Sequence, residues 1–278
     1  MKKPGKQFRD WPNKAVTLLG MSGVGKTYLA SRLPSDLWFH YSGDYRIGTK
    51  YLDEPILDDI KKKAMEHPFL RNLLCSDSIY IRNNITLEHL HPISHFLGKI
   101  GNPERGGLSV EEFKRRQRLF RAAEVNAMRD VTEFMTKARE IYGYPHFLND
   151  AGGSICGLKD DECWDELSTG TVVLYLKTND EMEKTLIKRS VECPKPLYYE
   201  EDFLDTKLGE YLETNNLQSA DEIVPDRFVQ WMFPKVINHR MSQYESLAAR
   251  YGHVVDASKL SQLSDENDFI DMVSEAQV

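Results

Sequence analysis

The strongest chemical signal in the chain lies near its start, where residues 20–27 read GMSGVGKT directly after the apolar run AVTLL. The order Gly20, four residues, Gly25, Lys26 and Thr27 is the P-loop pattern for binding phosphate groups. Glycines let backbone N–H groups approach an anion closely, and a following helix points further unpaired N–H groups at it. Lys26 then adds a positive charge at the β- and γ-phosphates, and the Thr27 hydroxyl is placed to ligate Mg²⁺.

The segments on either side of this loop are the ones that phosphate binding needs. Residues 15–19 predict a buried strand, and residues 27–33 predict a helix that stops at Pro34. An ordinary turn between a strand and a helix is the alternative. The residues expected to bind the nucleotide through the loop and the first helical turn are Gly20, Ser22, Gly23, Val24, Gly25, Lys26, Thr27 and Tyr28.

Length and composition limit the class of protein. The chain has 278 residues, is 41% apolar and carries a net charge of −7, which argues against general affinity for a nucleic-acid backbone. No apolar run is long enough for a membrane span, and the basic start MKKPGKQFRDWPNK lacks the apolar segment of a signal peptide. Four cysteines without CxxC spacing predict reduced thiols in a cytoplasmic protein.

Four further apolar runs predict strands, at residues 37–41, 146–150, 171–177 and 253–257. Helical patterns separate them, which indicates a parallel sheet covered by helices on both faces. Residues 51–143 are predicted to be almost wholly helical, and a long charged helix across 108–141 has Ser109 and Glu112 as its capping residues. A second helical stretch, at 178–250, is interrupted by the prolines of CPKP.

With these strands aligned, the chain resembles the nucleoside-monophosphate-kinase-like group of P-loop kinases, which includes adenylate, shikimate and gluconate kinases. Beside the P-loop, the segments that carry the resemblance are HYSGDYR, HFLNDAGGS, VVLYLKTNDEMEKTLIKRS and YGHVVDAS. The resemblance implies an α/β fold, the three-layer αβα sandwich of P-loop NTPases, with a five-stranded parallel sheet of order 2-3-1-4-5. It also implies one domain across 1–278, with a helical insert at 51–143 on the acceptor side and a lid-like segment at 178–205.

The resemblance further implies ATP and Mg²⁺ as cofactors and gives roles to residues around them. Asp150 matches the Walker-B-type carboxylate near Mg²⁺, which makes Thr27 and Asp150 the candidate metal ligands. Lys188 and Arg189 match cations of the lid helix, and Ala257 lies in the loop that packs against adenine.

On the acceptor side, Asp44 matches an aspartate that holds the acceptor hydroxyl, with Ser42 and Arg46 beside it. The candidate catalytic residues are therefore Lys26, Asp44, Asp150 and Arg189. Both aspartates also have a plain structural interpretation, as turn or helix-capping residues.

The chain departs from adenylate kinases at three places. Tyr-Arg follows Asp44, CPKPLYY stands in the lid where R-x-D-D is usual, and AGGS follows the third strand where GFPRT is usual. These differences argue against adenylate kinase activity and leave the acceptor open.

Two groups of side chains within 51–143 also invite functional hypotheses. Arg115, Arg118 and Arg121 are spaced three apart and share a helix face, which suits a phosphate or carboxylate on the acceptor. A solvated face paired with Glu111, Glu112 and Glu124 is the alternative. His89, His91 and His95 suggest a metal site, but Pro92 is expected to disrupt the helical spacing of His91 and His95.

The sequence thus predicts an ATP-dependent kinase that acts on an unidentified small molecule. The alternative is an ATPase switch with a protein partner, because DAGG (150–153) fits the D-x-x-G pattern of switch proteins. A kinase acting on a nucleic-acid end or on a protein is a weaker alternative.

Overall fold

A computed structural model describes residues 8–277. The basic segment MKKPGKQ, on which the expectation of no signal peptide partly rests, lies outside the described residues. The chain forms two compact units, which we call the sheet unit (Met1–Gly43, Glu124–Pro194 and Gln230–Val278) and the helical unit (Asp44–Ala123 and Lys195–Val229). The boundaries proposed for an insert at 51–143 and a lid at 178–205 stay a prediction.

The sheet unit holds a five-stranded sheet in which every neighbouring pair is parallel. Its order is β2-β3-β1-β4-β5, as predicted. The observed strands differ from the predicted runs by at most one residue at either end. They are β1 (Ala15–Leu19), β2 (Trp38–Ser42), β3 (His146–Asp150), β4 (Val172–Lys177) and β5 (His253–Asp256).

The α-helices alternate with these strands and cover both faces of the sheet, which makes the sheet unit a three-layer αβα sandwich. In chain order they are α1 (Lys26–Arg32), α2 (Gly43–Arg46), α3 (Asp53–Glu66), α4 (Pro68–Cys75), α5 (His91–Leu97), α6 (Val110–Glu140), α7 (Asp161–Gly170), α8 (Asp180–Glu192), α9 (Glu201–Thr214), α10 (Pro225–Tyr251) and α11 (Glu266–Ala276). Among the described helices, none combines the length and the hydropathy that crossing a membrane requires.

The sheet core explains why these segments became strands. All five residues of β1 are buried, because a parallel strand in the centre of a covered sheet has no solvent face. Val16 and Leu18 pack with Leu29 of α1 and Phe269 of α11 in one apolar cluster. The register pairs Leu18 with Asp150, so the carboxyl ends of β1 and β3 meet at the same edge of the sheet.

The long charged helix was predicted correctly. It runs as α6 from Val110 to Glu140, and the Ser109 side chain accepts a hydrogen bond from the backbone N–H of Glu112 at 3.3 Å. The break at CPKP is also confirmed, because α8 ends at Glu192 and α9 begins at Glu201.

The expectation about Pro92 was wrong. Pro92 lies in the first turn of α5, where a missing N–H leaves no helical hydrogen bond unmade. Helical spacing between His91 and His95 is therefore kept, and His95 Nδ1 lies 2.8 Å from the carbonyl oxygen of His91. Within residues 8–277, no group of three or more His, Cys, Asp or Glu side chains has an arrangement that suits a metal ion.

A buried arginine holds the helical unit together. The Arg116 side chain is only 4% exposed and donates to Glu112 at 2.6 Å, to Asp59 at 2.7 Å and to the carbonyl of Phe96 at 2.8 Å. Hydrogen bonds from Arg115, and with them Arg116, lower the pKa of Glu112 to about 2 against the opposing effect of burial. The stabilising effect of this carboxylate is therefore complete above pH 4.5 and is lost as the pH falls toward 2.

Replacing Arg116 by leucine should destabilise the protein far more than the same change at Arg115. Arg116→Leu leaves two carboxylates without a buried partner, which we expect to lower the free energy of unfolding by about 3–5 kcal/mol. Arg115 bonds the same Glu112 but is 52% exposed, so Arg115→Leu should cost about 1 kcal/mol or less. Urea unfolding of the two variants measures the difference, and equal losses would contradict it.

Candidate functional site

The P-loop has the predicted strand–loop–helix geometry. Backbone φ is +85° at Gly23 and +106° at Gly25, a region that glycine enters without the steric cost of a Cβ. Gly25 comes immediately before α1, so the unpaired N–H groups at the start of α1 face the loop. Ser22 and Gly23 are exposed, whereas the Val24 side chain is buried in the core.

Tyr28, which was predicted to bind nucleotide, lies on the outer surface of α1. Its side chain is 47% exposed, and its hydroxyl accepts a hydrogen bond from Arg32 at 2.6 Å. The guanidinium of Arg32 also covers the ring of Tyr28, 5.0 Å from its centroid.

The Lys26 ammonium group is folded back onto its own loop. Lys26 is buried, and its Nζ donates to the carbonyl of Gly20 at 2.7 Å and to that of Met21 at 3.2 Å. A buried ammonium needs such acceptors because its desolvation would otherwise be very costly. The loop thus holds a positive charge at the place where phosphate is expected.

Thr27 and Asp150 are brought together as predicted for a pair of metal ligands. The Thr27 hydroxyl donates to Asp150 Oδ2 at 2.7 Å, and Asp150 is buried at the carboxyl end of β3. Burial alone would raise the pKa of Asp150, but His40 and Lys26 lower it below its usual value. The carboxylate is therefore ionised at neutral pH, which Mg²⁺ coordination requires.

His40 was not predicted, although it lies inside the segment HYSGDYR. Its Nε2 is 3.6 Å from Asp150 Oδ2, which is longer than a hydrogen bond. This buried nitrogen has no hydrogen-bond partner among the described residues. The signal in the sequence was the alternation of β2, which puts His40 on the same face as Ser42.

The loop that follows β3 packs directly on the P-loop. A Cβ at Gly153 would lie 2.8 Å from the backbone nitrogen of Ser22, so only glycine fits here without a shift. The next residue, Ser154, donates to the buried Glu124 at 2.6 Å. Residues 150–154, which we call the DAGGS loop, are thereby held on two sides.

Helix α10 supplies two buried side chains that the sequence did not indicate. Arg240 donates to the carbonyl of Gly153 at 2.8 Å, and Tyr244, one helical turn later, donates to the carbonyl of Gly20 at 3.2 Å. The same helix therefore contacts both the DAGGS loop and the P-loop. No motif announces such contacts, because they depend only on which face of α10 meets the sheet unit.

The two lid cations lie on different sides of α8. Leu186 faces the P-loop, since a Cβ at Gly23 would lie 3.1 Å from its side chain. Arg189 is three residues further on and so neighbours Leu186, whereas Lys188 is two residues further on and lies on the far side. The Lys188 side chain is 77% exposed and lies 3.9 Å from Glu192.

A cavity of about 580 Å³ lies at the carboxyl ends of β4 and β5. Ala257, the residue expected near adenine, follows β5 and is buried. Asp256 caps the short helix that begins there by accepting from the Ser258 backbone at 2.8 Å, which confirms its structural role. The residues lining the cavity are Lys177, Thr178, Asn179, Asp180, Glu181, Val254 and Asp256.

The residues proposed for the acceptor divide between the two units. Ser42 is buried at the end of β2 in the sheet unit, and a Cβ at Gly43 would lie 3.3 Å from the Gly152 nitrogen. Asp44 and Arg46 belong to the helical unit, where the Arg46 guanidinium lies 5.8 Å from the ring centre of Tyr51.

The three arginines of α6 have partners within the helical unit. Arg115 bonds Glu112 at 2.8 Å, and Arg118 bonds Glu201 at 3.0 Å. The Arg121 guanidinium lies 5.9 Å from the ring centre of Tyr198. Of the acidic partners that the sequence suggested, only Glu112 is seen in these pairs.

Comparisons with known proteins add little to this geometry. No protein-family model matches the chain, and no curated protein matches it. Among the solved structures that match is shikimate kinase from Bacteroides thetaiotaomicron, with 16% sequence identity, a TM-score of 0.25, and coverage of 81% of this chain and 98% of that chain. At this TM-score the match carries no weight, and the αβα sandwich of P-loop NTPases is assigned from the strand order and the loop geometry.

Proposed function

We propose that this chain is a P-loop kinase that transfers the γ-phosphate of Mg·ATP to a small-molecule acceptor. The observation that supports this best is the pairing of Thr27 with Asp150 at 2.7 Å beside the P-loop. P-loop NTPases hold Mg²⁺ with one such hydroxyl and one such carboxylate.

The residues present fit a magnesium ion, which prefers oxygen ligands and keeps several waters. The Thr27 hydroxyl and the ionised Asp150 would hold it, partly through water. When bound, Mg²⁺ would neutralise charge on the β- and γ-phosphate oxygens.

The remaining charge at the phosphates would come from this chain's own cations. Lys26 would leave the carbonyls of its loop and bind the β- and γ-phosphates. Arg189 has the better position of the two lid cations, because it neighbours the residue that touches Gly23. We propose Arg189 as the cation that approaches the transferring phosphoryl group, and Lys188 would join only if α8 turned.

The acceptor would be held by residues that follow β2. Asp44 comes one residue after Gly43, whose backbone packs against the DAGGS loop. From that place in the chain, its carboxylate would orient or deprotonate the acceptor hydroxyl, with Ser42 and Arg46 beside it. Arg115, Arg118 and Arg121 would bind an anionic group on the acceptor after exchanging their carboxylate partners for it.

The second candidate function is a switch ATPase with a protein partner. The contact of Gly153 with Ser22 favours it, because a D-x-x-G loop in that place would sense the γ-phosphate. In that case hydrolysis would release the DAGGS loop, and no small molecule would receive phosphate.

Transfer of labelled phosphate distinguishes these functions. With Mg·ATP labelled on the γ-phosphate and a deproteinised metabolite extract, we expect label in a small molecule, and we expect Lys26→Ala to abolish it. Thin-layer chromatography followed by mass spectrometry identifies the labelled compound. Label that appears only in free phosphate, at a rate independent of the extract, would favour the switch ATPase, and full activity in Lys26→Ala would disprove a working P-loop.

Adding a methyl group at Gly153 should weaken nucleotide binding. Gly153→Ala forces Ser22 away from its place in the P-loop, so we expect the Kd for Mg·ATP to rise at least about tenfold, equivalent to 1.4 kcal/mol. Gly209→Ala is the control, because Gly209 lies in α9 with no atom within 4 Å of an added Cβ. Calorimetric titration of both variants with Mg·ATP tests this, and equal affinities would separate the DAGGS loop from nucleotide binding.

Asp44→Asn should leave nucleotide binding intact and remove transfer. Loss of a general base typically lowers kcat by about 10²–10⁴-fold, while the Kd for Mg·ATP should stay within about twofold of the wild-type value because the P-loop is unchanged. Rapid-quench kinetics and calorimetry give the two quantities. A variant that loses ATP affinity instead would show that Asp44 serves the nucleotide and not the acceptor.

A further inference from the structure

The carbonyl oxygen of Gly20 accepts hydrogen bonds from two buried donors. Lys26 Nζ lies 2.7 Å away, and the Tyr244 hydroxyl lies 3.2 Å away. The second distance is longer than is usual between a hydroxyl and a carbonyl oxygen. The shorter bond to the ammonium is thus the dominant one in the nucleotide-free protein.

Tyr244 is fixed in place by its surroundings. It is fully buried and stacks on Tyr175, with ring centres 5.1 Å apart and planes inclined by 12°. Burial raises the pKa of Tyr244 well above its ordinary value, so its hydroxyl keeps its proton. One turn earlier, Arg240 anchors the same helix to the DAGGS loop through the carbonyl of Gly153.

Phosphate binding changes the balance at this carbonyl. Lys26 cannot hold Gly20 and the β- and γ-phosphates in the same geometry, so binding withdraws its bond from the Gly20 oxygen. A buried carbonyl left without a donor is destabilising. Tyr244 is already within reach of that oxygen and needs only a small approach to replace the lost bond.

We propose that Tyr244 is a positioning residue for nucleotide binding, whose hydroxyl keeps the Gly20 carbonyl bonded after Lys26 turns to the phosphates. This inference rests on the proposed nucleotide-binding function. It deepens that function by making the release of Lys26 depend on a residue 224 positions away along the chain.

The first test compares Mg·ATP affinity in Tyr244→Phe and Tyr175→Phe. Tyr244→Phe should raise the Kd about tenfold, because the Gly20 oxygen loses its last donor only in the bound state. Tyr175→Phe removes a hydroxyl from the stacking partner, which makes no hydrogen bond to the P-loop among the described residues, and should leave the Kd unchanged. Wild-type affinity in Tyr244→Phe would overturn the proposal alone, whereas a wild-type protein that binds no nucleotide would overturn the proposed function as well.

The second test needs no nucleotide. Tyr244→Phe should lower the melting temperature little while Lys26 still bonds Gly20. In a Lys26→Met background the same change removes the only remaining donor and should lower it by about 2–4 °C more. Equal shifts in the two backgrounds, or a Tyr244→Phe protein that does not fold, would mean that the two donors do not share the carbonyl in this way and would overturn the proposal.

Discussion

A buried ammonium group must find acceptor oxygens, and the rest of the site depends on where Lys26 finds them. It takes the carbonyls of Gly20 and Met21, and the loop can turn these inward because Gly23 and Gly25 adopt positive φ. The charge held there lowers the pKa of Asp150, which keeps the candidate metal ligand ionised. The nucleotide-free loop is therefore already arranged for an anion.

Strand positions could be predicted from the sequence because every strand of a covered parallel sheet is an apolar run. Asp150 was predicted for a related reason: it ends a strand at the edge where β1 also ends. Tyr244 and Arg240 could not be predicted, since their partners Gly20 and Gly153 are far away in the sequence. Such contacts follow from how α10 packs, which no local pattern encodes.

The two lid cations show a similar limit at shorter range. The sequence places Lys188 and Arg189 side by side, and nothing in their spacing says which one lies toward the P-loop. The rotation of α8 about its axis decides this, and it is set by burial of Leu186 and Ser190. That leaves Lys188 in solvent and Arg189 beside the buried face.

The DAGGS loop bears on the choice between a kinase and a switch. A switch needs two arrangements of similar free energy and a ligand that prefers one of them. This loop is held by Gly153 against Ser22, by Arg240 on the Gly153 carbonyl and by Ser154 on buried Glu124. Releasing it would leave a buried arginine and a buried glutamate without these partners, at a cost of several kcal/mol. Loss of a γ-phosphate would have to supply that free energy, so the contacts favour a loop that positions the nucleotide and stays in place, as a kinase requires.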